Sequence, residues 1–431
     1  MRLRQLRVSR HSLLLGNVAA RVAALACVFL ATLVLARSGG AAVVGIYALL
    51  HVLPGLLGTL VSSGLPVAAP YFLAGPDRDD PRLPSTLVAI AVAGGAAGAV
   101  LWIACAPVVR PLLFPDLSLA LVMAAGLAVL TRLITITAKA CSQGSEDLPG
   151  SNRVIFTEQF MFLPAYAVLW VLGIHGFATV VGGLLVADSA TASLAWGRLV
   201  RRKFFRTLTR PSLQLARRIA SYGLRAQIGG VMTQLNLRLD FVLLTLLTGP
   251  AVLGVYAVAS KFAELVRILG MALTYVFYPK FARDARSHAV ENVRTLIPKA
   301  AFLTVGTLVP LWVMAGFVIP AFYGSDFTSA VTPARIILVG LALDGVAGVV
   351  AAFLYGVGRP GLYSLAIGAG LGLTIMLDFL LIPPFETIGA AIASAVAYLT
   401  TAIALVGIFW WLGRADRAAR WEDALPSVDA G

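Results

Sequence analysis

The chain is poor in charged residues, cysteine and histidine. Only 13% of its 431 residues are charged, whereas 59% are hydrophobic. A soluble domain carries about 25% charged residues, so this composition excludes an ordinary soluble domain and predicts an integral membrane protein. The three cysteines, Cys27, Cys105 and Cys141, lie in or beside apolar runs. We interpret them as small residues in helix packing and not as a disulfide framework.

Motifs of the common enzyme classes are also missing. The four histidines are scattered without metal-ligand spacing, so no metal site is predicted. The sequence has no Gly-rich loop followed by Lys-Ser/Thr, which argues against an ATPase site. The "DRDD" stretch at 77–80 holds an Asp-x-Asp pattern, but the flanking Pro and Gly favour a solvated turn. We therefore predict a protein that is not an enzyme and that needs no cofactor.

Long apolar runs dominate the remaining sequence. Each run is long enough to cross about 30 Å of hydrocarbon as a helix, and lipid offers no other partner for backbone polar groups. We predict an all-α integral membrane protein with 12 transmembrane helices. The runs lie near residues 12–36, 43–73, 84–109, 117–141, 152–173, 176–199, 217–247, 250–281, 291–319, 329–357, 360–382 and 388–412.

Basic residues collect on one side of the predicted spans. Of the 34 Lys and Arg, 24 lie in segments on the side of the termini, two lie on the opposite side and eight lie within spans. The positive-inside rule then places both termini in the cytoplasm of a cell whose inner (plasma) membrane holds the protein. The connector at 198–218 holds eight of the basic residues. We interpret it as a linker attracted to anionic lipid and not as a nucleic-acid site.

The two halves of the chain repeat a short motif. "GGAAVVGIYA" at 39–48 and "TGPAVLGVYA" at 248–257 match at a shift of 209 residues, and the same shift superposes most of the runs. Six spans per copy predicts two parallel six-helix bundles related by a pseudo-two-fold axis along the membrane normal. The predicted parts are an N-terminal bundle (1–200), a basic cytoplasmic linker (201–216), a C-terminal bundle (217–413) and a cytoplasmic tail (414–431).

Several charges lie inside the predicted spans, where each costs about 2.5–3.5 kcal/mol at the centre of a membrane helix. In "GVYAVASKFAELVRILG" at 254–270, a continuous helix would place Lys261, Glu264 and Arg267 on one face. Glu264 can neutralise only one neighbour, which leaves one positive charge for a substrate. A closed ion network is the alternative.

Further polar residues share helix faces with other intramembrane charges. Asn17 lies one turn before Arg21, and Gln234 lies one turn before Arg238. Asp188 is expected near the end of its span. The predicted substrate-binding residues are Asn17, Arg21, Arg132, Gln234, Arg238, Lys261, Glu264 and Arg267. The predicted residues for ion coupling or pairing are Glu158, Asp240 and Asp344.

Longer segments carry a resemblance to a known family. They include "YGLRAQIGGVMTQLNLRLDFVLL" at 222–244, "GVYAVASKFAELVRILGMALTYVFYPKFAR" at 254–283 and "LLIPPFETIGAAIASAVAY" at 380–398. The chain resembles the polysaccharide transporter (Wzx-type) family of lipid-linked oligosaccharide flippases. Its superfamily also holds multidrug exporters of the MATE type and the lipid II flippase. The resemblance implies two bundles in a V around a basic central cavity, in which Arg21, Lys261 and Arg267 match expected basic positions.

The same resemblance implies an activity and its partners. A flippase of this family moves undecaprenyl-diphosphate-linked oligosaccharide, such as an O-antigen or exopolysaccharide precursor, from the inner to the outer leaflet by alternating access. The implied partners are the lipid-linked glycan, the phospholipid membrane and other glycan-assembly proteins, with no nucleic acid. The alternative is an ion-coupled, MATE-like exporter of drugs. The cavity of such an exporter should be acidic or aromatic.

Overall fold

The computed structural model of the protein describes residues 10–205, 209–281 and 286–424. The basic positions Arg2, Arg4 and Arg7 and the end of the predicted tail, from residue 425, lie outside this part. The described residues form α-helices joined by turns and two short 3-10 helices, and they contain no strand. The prediction of an all-α membrane protein is confirmed.

The described residues divide into two compact units, one up to Gly254 and one from Val255 onward. The first unit holds α1 (Arg10–Val61), α2 (Leu65–Ala74), α3 (Leu83–Leu113), α4 (Leu119–Ala125), α5 (Leu127–Gly144), α6 (Leu148–Phe160), α7 (Phe162–Val171), α8 (Phe177–Arg201) and α9 (Leu213–Thr248). The chain passes into the second unit within α10 (Pro250–Ala263). The second unit continues with α11 (Arg267–Phe281), α12 (Arg286–Tyr323), α13 (Val331–Gly340), α14 (Asp344–Gly356) and α15 (Pro360–Ala424).

Eight helices in the described part are long and apolar enough to cross a membrane, and the bent pair at 325–340 and 344–356 makes a ninth. Two of the eight, Gly16–Val61 and Pro360–Leu412, contain 46 and 53 residues, whereas one crossing needs about 20. Non-helical backbone at Gly40 and at Glu386 interrupts them. Each predicted run therefore has a helix or a broken helix in its place, and the count of twelve crossings stays a prediction.

Helix α9, the seventh predicted span, packs against α1, α2 and α3 within the first unit. The division between the compact units thus lies after this helix and beyond the predicted linker at 201–216. Gly64 and Gly223 allow the close approach of α2 and α9, because a β-carbon on either glycine would overlap the backbone of the other. Gly64 also has φ of 71°, which glycine adopts without steric cost.

The repeated motif forms a reciprocal contact. A β-carbon at Gly45 would overlap the carbonyl oxygen of Pro250, and one at Gly254 would overlap the carbonyl oxygen of Ala41. Gly45 and Gly254 are equivalent at the shift of 209 residues, and so are Ala41 and Pro250. Small residues of this kind let membrane helices approach closely. The two copies of the motif therefore meet through the same backbone atoms, as a local two-fold axis requires.

Each unit has a core of its own. In the first, Leu65, Leu83 and Ile219 bring α2, α3 and α9 together. In the second, Phe281 and Phe353 pack edge to face, and Phe353 packs edge to face on Phe409. The first core is rich in alanine and leucine and the second in alanine and valine, and small alanine side chains allow the close van der Waals packing on which helix association in membranes depends.

The predicted continuous helix through 254–270 is wrong. Helix α10 ends at Ala263 and α11 begins at Arg267. Backbone bonds of the i→i+3 type join Val266 to Ala263 (3.2 Å) and Arg267 to Glu264 (3.0 Å) in the intervening turn. In such a tightened turn residues three apart are eclipsed. Glu264 and Arg267 consequently still point to the same side, although for a different geometric reason.

Candidate substrate-binding site

Arg132 lies in a closed ion pair of the first unit. Its Nε donates to Asp188 Oδ2 at 2.8 Å, and its Nη1 donates to the carbonyl oxygen of His51. Arg132 and Asp188 are both only 6% exposed. Asp188 lies in the middle of α8, so its placement near a span end is wrong. Because Asp188 and His51 occupy its guanidinium, Arg132 joins helices and is a poor candidate for a substrate contact.

Two further polar groups in this unit bridge helices. Lys139 Nζ lies 3.6 Å from Glu158 Oε2, and each side chain is about a quarter exposed, at 26% and 24%. Arg21 Nε donates to Asn17 Oδ1 at 3.0 Å, and Asn17 Nδ2 donates to Asn152 Oδ1 at 2.7 Å. The contact between Asn17 and Arg21 is therefore the one that their spacing predicts. Asn152 was not predicted as a site residue, since 135 residues separate it from its partner.

The polar residues of α9 have divergent environments. Gln234 is exposed, and the Arg238 guanidinium lies 5.3 Å from the centre of the Phe241 ring. Asp240 is 2% exposed and accepts a bond from the Phe241 N–H at 2.9 Å. Gln227 lies seven residues before Gln234, and hence near the same helix face, but it is buried and accepts a 3.1 Å bond from Ser62. One face of this helix thus changes from packing to exposure along its length.

The second unit holds the three charges of the 254–270 segment. Lys261 Nζ lies 3.0 Å from Glu264 Oε2, and the two side chains are 31% and 19% exposed. The guanidinium of Arg267 lies 5.1 Å from the centre of the Tyr398 ring. Asp344 and Glu264 both act electrostatically on Arg267. This cluster, Lys261, Glu264, Arg267, Asp344 and Tyr398, is called the Arg267 cluster below.

Arg267 differs from Arg132 in its hydrogen bonding. Its Nη1 is buried and has no hydrogen-bond partner among the described residues. No nitrogen–oxygen pair between Arg267 and Asp344 comes within ion-pair distance there, although Asp344 Oδ2 abuts Gly270, one turn further along α11. The expected excess of one positive charge is wrong, because Asp344 supplies a second carboxylate. The Nη1 group of Arg267 still has no acceptor among the described residues.

The chain matches a known protein family over most of its length. The family is described as "Polysaccharide biosynthesis protein", and its profile matches residues 34–332, more than half of the chain. The chain belongs to this family. The resemblance drawn from the sequence is thereby confirmed. Among curated proteins, this chain is 22% identical over 288 residues to a probable low-salt glycan biosynthesis flippase, Agl15, of Haloferax volcanii.

That alignment covers 64% of this chain and 59% of the Haloferax protein. The chain thus spans less than two thirds of the relative's length. Two solved structures share the fold. An inward-facing multidrug resistance MATE family transporter of the MOP superfamily superposes with a TM-score of 0.72 at 14% identity, over 97% of both chains. Lipid II flippase MurJ, in an inward closed conformation, gives 0.73 at 13% identity, over 91% of this chain and 86% of its own.

Proposed function

We propose that the protein is a flippase for a lipid-linked glycan precursor. The observation that carries the proposal is the buried Nη1 of Arg267, which lacks a hydrogen-bond partner among the described residues. An unsatisfied buried donor costs about 1–3 kcal/mol, and more when it is charged. Retaining such a group inside a membrane protein is explained if a transported anion supplies the acceptor.

The chemistry of a diphosphate-linked lipid suits this group. A diphosphate head group cannot enter hydrocarbon unless fixed cations replace its water. Arginine bonds phosphate oxygens in a bidentate manner, and the Tyr398 ring under the guanidinium fixes its plane. Asp344 and Glu264 weaken the net positive field. The carboxylates therefore keep binding loose enough for release on the far side.

The proposal also covers the substrate, the transport mechanism and the location of the protein. We infer an undecaprenyl-diphosphate-linked oligosaccharide as substrate, alternating access as the mechanism and the plasma membrane as the location, with both termini cytoplasmic. Membership of the polysaccharide biosynthesis family and the name of the Haloferax relative support a glycan lipid. Contacts with other glycan-assembly proteins are part of the proposal. Non-enzymatic transport is inferred as well.

The test compares two arginines of the second unit that both lie over aromatic rings. Arg335 lies 4.5 Å from the Trp312 ring centre and donates to the Trp312 carbonyl oxygen at 3.1 Å, so its bonding is local. Arg267→Ala is expected to reduce surface glycan at least tenfold while the amount of folded protein in the membrane stays constant. Arg335→Ala should leave export unchanged. Quantified surface glycan and detergent-extracted monodisperse protein are the readouts.

Two results would contradict the proposal. Normal glycan export by Arg267→Ala would remove the assigned role of that guanidinium. Unchanged glycan in a deletion strain, together with increased sensitivity to cationic drugs, would identify the chain as a drug exporter instead.

A further inference from the structure

The first unit contains a cavity that is lined by residues other than those discussed above. It is a groove of about 780 Å³ that is lined by residues of α2, of the first half of α9 and by Asp77 of the 3-10 helix Pro76–Asp79. Its walls carry Tyr71, Asp77, Arg217, Arg218, Tyr222 and Arg225. None of these was predicted as a site residue. The groove is called the α2–α9 groove below.

The wall on the side of α9 is built by helical periodicity. Arg218, Tyr222 and Arg225 are spaced four and three residues apart and so share one face. The rise of 1.5 Å per residue separates Arg218 from Arg225 by about 10 Å along the axis. Arg218 and Arg225 therefore lie at two levels of the groove wall, with Tyr222 between them.

One arginine of the groove is held by protein and two are available. Arg218 forms a two-pronged pair with Asp77, at 3.2 Å to Oδ1 and 3.0 Å to Oδ2. Arg225 makes only a 3.4 Å bond to Ser221 Oγ, and Arg217 is exposed. The three arginines and one aspartate of the groove leave two positive charges uncompensated. Such an excess favours an anion.

Aromatic rings line the same groove. Tyr71 and Tyr222 stack with centroids 4.3 Å apart and an interplanar angle of 15°. Tyr71 is 53% exposed, and Phe72 lies 5.9 Å below the Arg218 guanidinium. Tyrosine is enriched at the level of lipid head groups, where one end of the side chain meets hydrocarbon and the other meets water. Arginine beside stacked tyrosine is therefore suited to a head group at the interface.

We propose that the α2–α9 groove binds the phosphate-bearing head group of a membrane lipid. Arg217 and Arg225 donate to the phosphate oxygens, because guanidinium pairs with phosphate in a bidentate manner. Asp77 keeps Arg218 in the wall, and Tyr71 with Tyr222 contacts the glycerol or prenyl portion. The groove adjoins the basic connector at 198–218, on the predicted cytoplasmic side, where anionic lipid attracts basic residues. The proposal does not require glycan transport.

The experiment measures lipid retention by the full chain. Purified protein is titrated with phosphatidylglycerol, phosphatidylcholine, undecaprenyl diphosphate and inorganic pyrophosphate, and bound lipid is counted by native mass spectrometry. The double variant Arg217→Gln/Arg225→Gln is expected to bind the phosphate lipid about tenfold more weakly, since hydrogen bonds to charged groups are lost. Arg153→Gln is the control, because Arg153 is also exposed and lies in the same unit but outside the groove.

The lipids separate the possible sources. Selective loss of phosphatidylglycerol would assign the groove to bulk anionic phospholipid, and selective loss of undecaprenyl diphosphate would assign it to the glycan carrier. Equal binding by the double variant and the parent overturns the proposal, as does an equal loss in Arg153→Gln. Binding of pyrophosphate without either lipid also overturns it. Both substituted groove residues are exposed, and unchanged melting temperatures will show that folding is intact.

Discussion

The two units place an arginine of an apolar run in opposite environments. In the first unit, Arg132 bonds to Asp188 and to the His51 carbonyl oxygen. In the second, Arg267 lies over Tyr398, and one of its guanidinium nitrogens has no hydrogen-bond partner among the described residues. Both arginines lie within apolar runs, and the sequence predicts both as substrate-binding residues. The comparison teaches that unused hydrogen-bonding capacity, and not charge alone, distinguishes a candidate transport residue from a structural one.

The largest effect on stability is expected at Arg132. Arg132→Ala leaves the Asp188 carboxylate buried without its cation, and breaking such a pair costs about 3–5 kcal/mol. The melting temperature in detergent and the yield of monodisperse protein should both fall sharply. The double variant Arg132→Met/Asp188→Leu should recover most of the loss, because it removes both charges. If Arg132→Ala is as stable as the parent, the closed-pair interpretation is wrong.

A second closed group lies between two predicted spans, and its loss is expected to have an effect of intermediate size. Asp147 caps α6 through the Gly150 N–H at 3.1 Å and binds Arg198 at 2.7 and 2.8 Å. Burial alone would raise the pKa of Asp147, but the bonds from Arg198 and Gly150 outweigh it and hold the pKa below its ordinary value. Asp147→Asn is expected to lose about 1.5–3 kcal/mol of stability at neutral pH.

The pH dependence of that variant has a defined sign. A carboxyl whose pKa is depressed on folding stabilises the protein at pH above its unfolded value, about 3.9. This stabilisation disappears as the pH falls through the folded pKa. The difference in melting temperature between parent and Asp147→Asn should therefore be full at pH 7 and vanish in strong acid. A difference independent of pH would contradict the assigned ion pair.

The smallest effect on stability is expected in the Arg267 cluster. Glu264 and Lys261 are partly exposed, and pairs of this kind contribute about 0–1 kcal/mol. Glu264→Gln should leave the melting temperature nearly unchanged while it releases Lys261 and strengthens the field on an anion. Tighter retention of undecaprenyl diphosphate with slower glycan export is the expected result. Weaker retention would show that Glu264 does not moderate binding. Asp147→Asn, remote in sequence and in the first unit, is the control for retention.

The sequence predicted the features that depend on local composition. Twelve apolar runs coincide with helices or broken helices, and the repeat at 39–48 and 248–257 reappears as the reciprocal glycine contact. Spacing also predicted the bond between Arg21 and Asn17. The break after Ala263 was not predictable from periodicity, because "KFAELVRIL" contains neither Pro nor Gly.

Partners distant in sequence were the main omission. Asp188, His51 and Asn152 satisfy predicted residues from other helices, and Asp344 reaches the Arg267 cluster from α14. Without these partners, the charges at Arg132 and Arg267 looked equally available for a substrate. The arginines of the α2–α9 groove were not predicted as site residues, for a different reason. A basic connector is expected from orientation alone, so it gave no sign of a cavity.

The amino-acid sequence alone is enough to identify a helical membrane protein whose halves repeat a motif. Hydrocarbon imposes the helices, since it leaves backbone groups no partner outside a helix, and it makes each buried charge costly. Which charges neutralise one another is visible only in the folded chain. Hydrogen bonds depend on distances of about 3 Å between atoms, and helix packing, not spacing along the chain, sets those distances between remote residues.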